Sequence, residues 1–264
     1  MMRETAGIQV CIDYNSEEDA TKKFNIANKL SPFMTAMFSN SQIRGGVDTG
    51  YKSFRALAWL NTDNERCGFT TDFKQDNLFN KYINFVMNTP MIFIQREDKI
   101  IEINGAITFK EFFKNGFQGE YPTIDDYLLH ANLIFPEVRL NSFIEIRNHD
   151  CVPEDYLYSL LAIYKGILYD KDASDATEEL LERFSFEDIS ELRYRVPREG
   201  LRTKLGHYKI SNIAKELLEI AYYSLKINLN NEESFILPIK ELTSKGLTPG
   251  DIISGNILKG LGEL

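Results

Sequence analysis

Phe135 to Arg147, FPEVRLNSFIEIR, carries the pattern Glu-x-Arg twice, at Glu137/Arg139 and at Glu145/Arg147. Residues two apart on a strand point to the same face. The spacing therefore predicts a strand on which Glu145 and Arg147 share one face while Ile144 and Ile146 turn to a core. Two readings fit that face. A carboxylate beside a guanidinium can be a structural ion pair of an ordinary sheet. Alternatively the carboxylate holds a divalent cation and the guanidinium, a rigid planar fork, holds phosphoryl or carboxylate oxygens.

Upstream, Thr5–Tyr14 alternates in the same way. Ala6, Ile8, Val10 and Ile12 make an apolar face; Thr5, Gly7, Gln9, Cys11 and Asp13 make the opposite one, as in a half-buried strand. Gln9 offers an amide oxygen, a hard ligand suited to Mg²⁺, or simply a hydrogen-bonded solvent face. Ser16 followed by Glu18 and Asp19 starts a helix running to Leu30, and Pro32 opens a second apolar segment.

Between them and the next helical pattern lies RGGVDTGYKSFRALAW, Arg44–Trp59. It misses the phosphate-loop pattern G-x-x-x-x-G-K-[ST] by one residue, because Tyr51 separates Gly50 from Lys52. A phosphate loop joins a strand to a helix and places Lys directly after the last Gly. Here a helical stretch precedes the loop. A surface loop and a substrate-gating loop are the other readings.

Further on, DNLFNKYINFVMNTP has helical spacing and stops before Pro90, and MIFIQREDKIIEING reads as a hairpin turning at Glu97-Asp98-Lys99. Short helices are expected at 109–114 and 123–135. From Glu154 onward the pattern is helical nearly throughout, with segments near 156–169, 176–184, 186–195, 211–225 and 232–244. Few, scattered strands that do not alternate with helices favour an α+β fold over a doubly wound sheet. We expect a single domain over 1–264, sheet-rich over 1–150 and helical over 151–264.

A chain of 264 residues with 43% hydrophobic and 26% charged residues can fill a sizeable core. A net charge of −9 argues against a general nucleic-acid or anionic-membrane binder, which needs a basic face. Cys11, Cys67 and Cys151 are odd in number and lack C-x-x-C spacing, which points to reduced thiols. His130, His149 and His207 show no zinc spacing. The alternating segment after Met1 is not a signal peptide, and no apolar window reaches transmembrane length. The expectation is a cytoplasmic protein.

The stretches MMRETAGIQVCIDYNSEEDATKKFNIANKLSPFMTAMFSNS, GYKSFRALAWLNTD, FPEVRLNSFIEIRNHD and KGILYD, in this order, resemble the glutamate–cysteine ligases of the plant and proteobacterial type. The resemblance covers essentially the whole chain. It implies a fold similar to glutamine synthetase: a curved, largely antiparallel sheet forming a funnel covered by helices. It implies ATP-dependent formation of γ-glutamylcysteine from glutamate and cysteine through an acyl phosphate, with Mg²⁺, as the first step of glutathione synthesis. By the same resemblance, Glu145 falls at the sheet glutamate that binds Mg²⁺ and Gln9 where relatives place another metal ligand. Arg147 falls at a phosphate-facing arginine, Arg55 and Tyr51 near the amino-acid substrates, and Arg139 at a substrate-side or structural arginine. The Gly-rich loop falls at the rim of the substrate site, where Gln42 and Val47 depart from the usual residues. Another glutamate–amine ligase is therefore an alternative.

In that family the pattern beginning at Met1-Met2 lies within the chain, after a portion carrying a G-x-E-x-E strand. The 264 residues contain no such strand. The resemblance thus implies a fragment, a partner chain that supplies the N-terminal half, or a non-catalytic remnant. The redox cysteines of the plant enzymes are absent, Asn104 standing at one of the positions.

Overall fold

The computed structural model describes residues 5–69, 77–227 and 230–262, with side chains through 255. Met1-Met2 at the start of the family-like pattern, and Asp76 at the front of the expected third helix, lie outside the described residues. Strand β1 (Gly7–Ile12) leads into the long helix α1 (Glu17–Met37). A small hairpin of β2 (Ile43–Arg44) and β3 (Val47–Asp48) precedes α2 (Phe54–Leu60), β4 (Cys67–Gly68) and α3 (Leu78–Asn88). The hairpin of β5 (Phe93–Arg96) and β6 (Lys99–Glu102) is followed by α4 (Phe109–Asn115), α5 (Ile124–Asn132), β7 (Phe135–Pro136), β8 (Val138–Leu140) and β9 (Ile144–Asp150). Then come α6 (Glu154–Leu168), α7 (Lys171–Leu181), α8 (Phe186–Glu199), a hairpin of β10 (Lys204–Leu205) and β11 (Tyr208–Lys209), α9 (Ile210–Ile227), α10 (Leu237–Ser244) and α11 (Pro249–Gly262). This is an α+β arrangement. Among the described residues no helix is long and apolar enough to cross a membrane.

β9 is the centre of a three-stranded antiparallel sheet in the order β1-β9-β8. α1 packs on β9 and against α7, α8 and α9. One apolar cluster joins Val10, Ile144 and Ile146 of the sheet to Phe33 of α1, Ile163 of α6 and Leu217 of α9. Burial of such side chains, worth about 1.5–3 kcal/mol each, is the main force holding sheet and helices together. A second, smaller cluster (Met91, Ile94, Ile103, Phe109, Phe112) lies under the β5–β6 hairpin.

Local signals set many boundaries. The side chains of Ser16, Ser53, Thr108, Thr123, Asp170 and Ser185 each accept a backbone N–H at the start of a helix, the usual N-cap contact. Three expectations are corrected. α1 does not end at Leu30 but runs through Pro32 to Met37. Every residue from Leu30 to Met37 is buried, and that packing outweighs the backbone hydrogen bond lost at proline, a local cost of about 3 kcal/mol. The helix expected to reach residue 135 ends at Asn132, because Phe135 N–H donates to the Arg66 carbonyl (2.8 Å) and pairs β7 with β4. α11, with Pro249 at its first position, had no counterpart among the expected helices.

Candidate functional site

Ile144 and Ile146 are fully buried, and Glu145 and Arg147 project from the other face of β9, as the alternation requires. β1 pairs with β9 at Cys11↔Glu145 and Val10↔Ile146, then resumes at Ile8↔His149. Arg147 and Asn148 therefore both oppose Gln9, which makes a β-bulge. The extra residue changes which face the rest of the strand presents. Asn148 donates to the Ser31 carbonyl of α1 (2.7 Å). The His149 ring hydrogen-bonds the Tyr164 hydroxyl of α6 (2.7 Å). Asp150 falls opposite Gly7.

Glu145 is the hub of the polar face. Its Oε2 accepts from Arg147 Nη1 at 2.9 Å and lies 3.3 Å from Arg139 Nη1, across the ladder on β8. With the Gln9 amide nitrogen turned toward Glu145, that nitrogen lies 2.5 Å from Oε1 and the amide oxygen 3.1 Å from Arg147 Nη1. Gln9, Arg139, Glu145 and Arg147 are thus one connected group. The two Glu-x-Arg repeats are not equivalent. Glu137 accepts from Arg193 Nε of α8 at 2.6 Å, while Arg139 crosses to Glu145. Cys11 is opposite Glu145 on β1, and burial, followed by the Glu145 charge, pushes its thiol pKa up.

Arg55 approaches the same group from the first turn of α2. It is 6% exposed, its Nη2 donates to the Arg147 carbonyl at 2.6 Å, and among the described residues it makes no ion pair. Burial lowers its pKa, with Asp150 opposing that effect; a guanidinium keeps its charge nonetheless. Burial, followed by the neighbouring Arg147, lowers Arg139 too. Aromatic faces support all three arginines. Arg139 and Arg147 lie over Phe135 at 5.6 and 5.8 Å, Arg55 over Trp59 at 5.9 Å, and the two rings are 6.0 Å apart. A π face stabilises a cation without neutralising it. Arg139 and Arg147 share the Glu145 carboxylate and Arg55 adds a third guanidinium at the Arg147 carbonyl, so this group carries a cationic surplus. Arg55, Trp59, Phe135, Glu137, Arg147, Asn148 and Arg193 line a cavity of about 30 Å³. Asn148 Oδ1 and Trp59 Nε1 are buried there without a partner among the described residues.

The Gly-rich segment is the β2–β3 hairpin between α1 and α2. Lys52 Nζ is 2.5 Å from Asp251 of α11, so the lysine is engaged by a carboxylate and is not the free lysine of a phosphate loop. Tyr51 is apart from the other residues singled out in the sequence. It lines a groove with Tyr194, Arg195, Arg198 and Glu199.

The donor set does not complete a Mg²⁺ site. Among the described residues no group of three or more His, Cys, Asp and Glu converges, and both Glu145 oxygens are engaged by Gln9, Arg139 and Arg147. Sequence reasoning assigned no role to Asp150, Gly7, Phe135, Trp59 or Arg193. Trp59, Phe135 and Asp150 lie within the family-like stretches, and Gly7 on the polar face of an alternating strand; Arg193 gave no signal.

The model of glutamate–cysteine ligase family 2 (GCS2) matches residues 1–256. The chain is similar to glutamate–cysteine ligase A, chloroplastic, of Oryza sativa subsp. indica, with 32% identity over 255 residues covering 95% of the chain and 52% of that protein. It is likewise similar to the chloroplastic glutamate–cysteine ligases of Solanum lycopersicum (33% over 256 residues; 95% and 49%) and Arabidopsis thaliana (32% over 255 residues; 95% and 49%). The chain spans about half the length of the curated relatives it matches.

Proposed function

Since the chain belongs to glutamate–cysteine ligase family 2, we propose that it is the substrate-side portion of an enzyme making γ-glutamylcysteine at the expense of ATP. The fold we infer for the whole enzyme is the glutamine-synthetase-like funnel, with the three-stranded sheet as part of its wall. The reaction proceeds in two steps. A γ-carboxylate oxygen of glutamate attacks the γ-phosphorus of ATP and ADP leaves. The cysteine amine then attacks the acyl carbon and phosphate leaves, the amine proton passing to solvent.

The observation that carries this reading is the pairing of Arg139 and Arg147 with the one carboxylate of Glu145, beside Arg55 at the Arg147 carbonyl. ATP, glutamate, the acyl phosphate and the released phosphate are anionic, and fixed cationic groups facing developing negative charge are an effective source of transition-state stabilisation. Arg147 and Arg139 are assigned to phosphoryl oxygens, released from Glu145 as the anion arrives. Arg55, buried without an ion-pair partner among the described residues, is assigned to a substrate carboxylate, for which its fork geometry is suited. Tyr51, which lines a separate groove, is assigned to the substrate side by the resemblance alone.

Mg²⁺, which offsets phosphate charge when bound, is not held by these residues alone. Glu145 and Gln9 are assigned to one edge of its site, and the other ligands to the half of the relatives' length that this chain does not cover. A second polypeptide or a longer form of this chain would supply them. A non-catalytic partner subunit is the second reading, favoured by the lone carboxylate. The test is ADP release dependent on glutamate and cysteine, first from the chain alone and then with a relative's complementary half added. Turnover only in the mixture is expected. No turnover in the mixture would favour the non-catalytic reading, and turnover with another amine in place of cysteine would change the acceptor.

A further inference from the structure

We propose that Asp150 is a positioning residue for Arg55, acting as a clamp on both ends of the segment that carries the Gly-rich hairpin. This rests on the reading of Arg55 as the group that meets a substrate carboxylate. Asp150 is 2% exposed, at the end of β9. Its Oδ2 accepts from Asn40 N–H (2.7 Å) and the Ser41 hydroxyl (2.8 Å), and its Oδ1 accepts from the Ser53 hydroxyl (2.8 Å). Each serine passes the contact on. Ser41 Oγ accepts from Arg55 N–H at 3.0 Å, and Ser53 Oγ accepts from Ala56 N–H at 3.0 Å as the N-cap of α2. One buried carboxylate thus sets the entry to the hairpin, its exit, and the first turn of the helix that carries Arg55.

The strand that carries Glu145 and Arg147 therefore also fixes Arg55. Arg55 Nη2 returns to that strand at the Arg147 carbonyl, so the loop of contacts is closed. A carboxylate is suited to the hub, because it accepts several hydrogen bonds at once and charge-assisted bonds are the stronger ones. An amide in its place offers one acceptor oxygen and turns an N–H₂ toward groups that donate.

The experiment compares the wild-type chain with Asp150→Asn, and with Ser41→Ala and Ser53→Ala in case the first variant folds poorly. Amide hydrogen exchange is followed at Asn40, Arg55 and Ala56. Each variant that keeps the wild-type circular dichroism spectrum should exchange Arg55 or Ala56 faster than wild type, while the amides of β1 stay protected. Unchanged exchange at Arg55 and Ala56 in all three variants would overturn the proposal. A second arm measures L-glutamate binding by calorimetry in a cycle with Arg55→Ala. Asp150→Asn should weaken binding about tenfold or more when Arg55 is present, since displacement of a positioning group by an ångström can cost a hundredfold. It should have no further effect once Arg55 is gone. Equal losses in both backgrounds would mean that Asp150 does not act through Arg55. Failure of the wild-type chain to bind glutamate, both alone and with a relative's complementary half added, would sink the reading of Arg55, while the exchange arm would still decide the clamp.

Discussion

A methyl group added at Gly7 would lie 2.4 Å from Nε of Arg55, so β1 leaves room for the guanidinium only because it has no side chain there. Gly7→Ala is expected to move the Arg55 fork while leaving the sheet in place. The intruded atoms belong to a side-chain end, so the stability loss should be modest, about 1–2 kcal/mol. Loss of ligand binding should be proportionally larger. Urea unfolding and glutamate calorimetry on the same variant check both. An unfolded variant would mean that the strand cannot absorb the methyl group.

Glu145→Gln leaves Arg139 and Arg147 without their shared counter-charge in a largely buried setting. Breaking a buried pair from one side is costly, and with the amide oxygen still present to accept a hydrogen bond the loss should be about 2–3 kcal/mol. Chemical denaturation measures it. In a complete enzyme the same change should abolish acyl-phosphate formation, and near-normal turnover would leave Glu145 a purely structural residue.

Burial pushes the His149 pKa down to about 3 and that of His130 to about 4. In the unfolded chain both take a proton near pH 6.5, so the unfolded state binds more protons between that pH and the folded values. Stability should therefore fall as pH drops from about 6.5 toward 4. Asp175, held at about 2 by Lys171 and Lys22, keeps its stabilising contribution throughout this range and loses it only as pH falls below its ordinary value of 3.8. Urea midpoints at pH 4, 5, 6.5 and 7.5 check this, and His149→Gln should flatten the slope. An unchanged slope would assign the pH dependence to other groups.

Gly166 of α6 sits against α9 so closely that a Cβ would lie 2.7 Å from the Ala221 carbonyl oxygen and 3.1 Å from its Cα. Alanine gains about 1 kcal/mol of helix propensity, but here the obstacle is backbone and overpacking costs about 1–3 kcal/mol. Gly166→Ala should be destabilising overall, with a lower melting temperature. A raised melting temperature would show that the helices separate freely.

Sequence alone determined what local chemistry controls. The alternation at Ile144–Arg147 gave the two faces of β9, Ser16 gave the start of α1, and the ordered motifs gave the family. Each depends on neighbours a few residues away, which a linear reading contains. Tertiary structure decided the rest. Whether α1 passes Pro32 depended on the burial of Leu30–Met37. The bulge opposite Gln9 depended on the β1–β9 register, and it sent His149 to the core and Asp150 to the hairpin. The partners of Glu137 and Arg139 depended on which strand and helix came alongside, since Arg193 and Glu145 are equally eligible charges until the chain brings them within hydrogen-bond reach. These outcomes follow from long-range packing, in which side chains far apart in sequence compete for the same buried space and the same few polar partners.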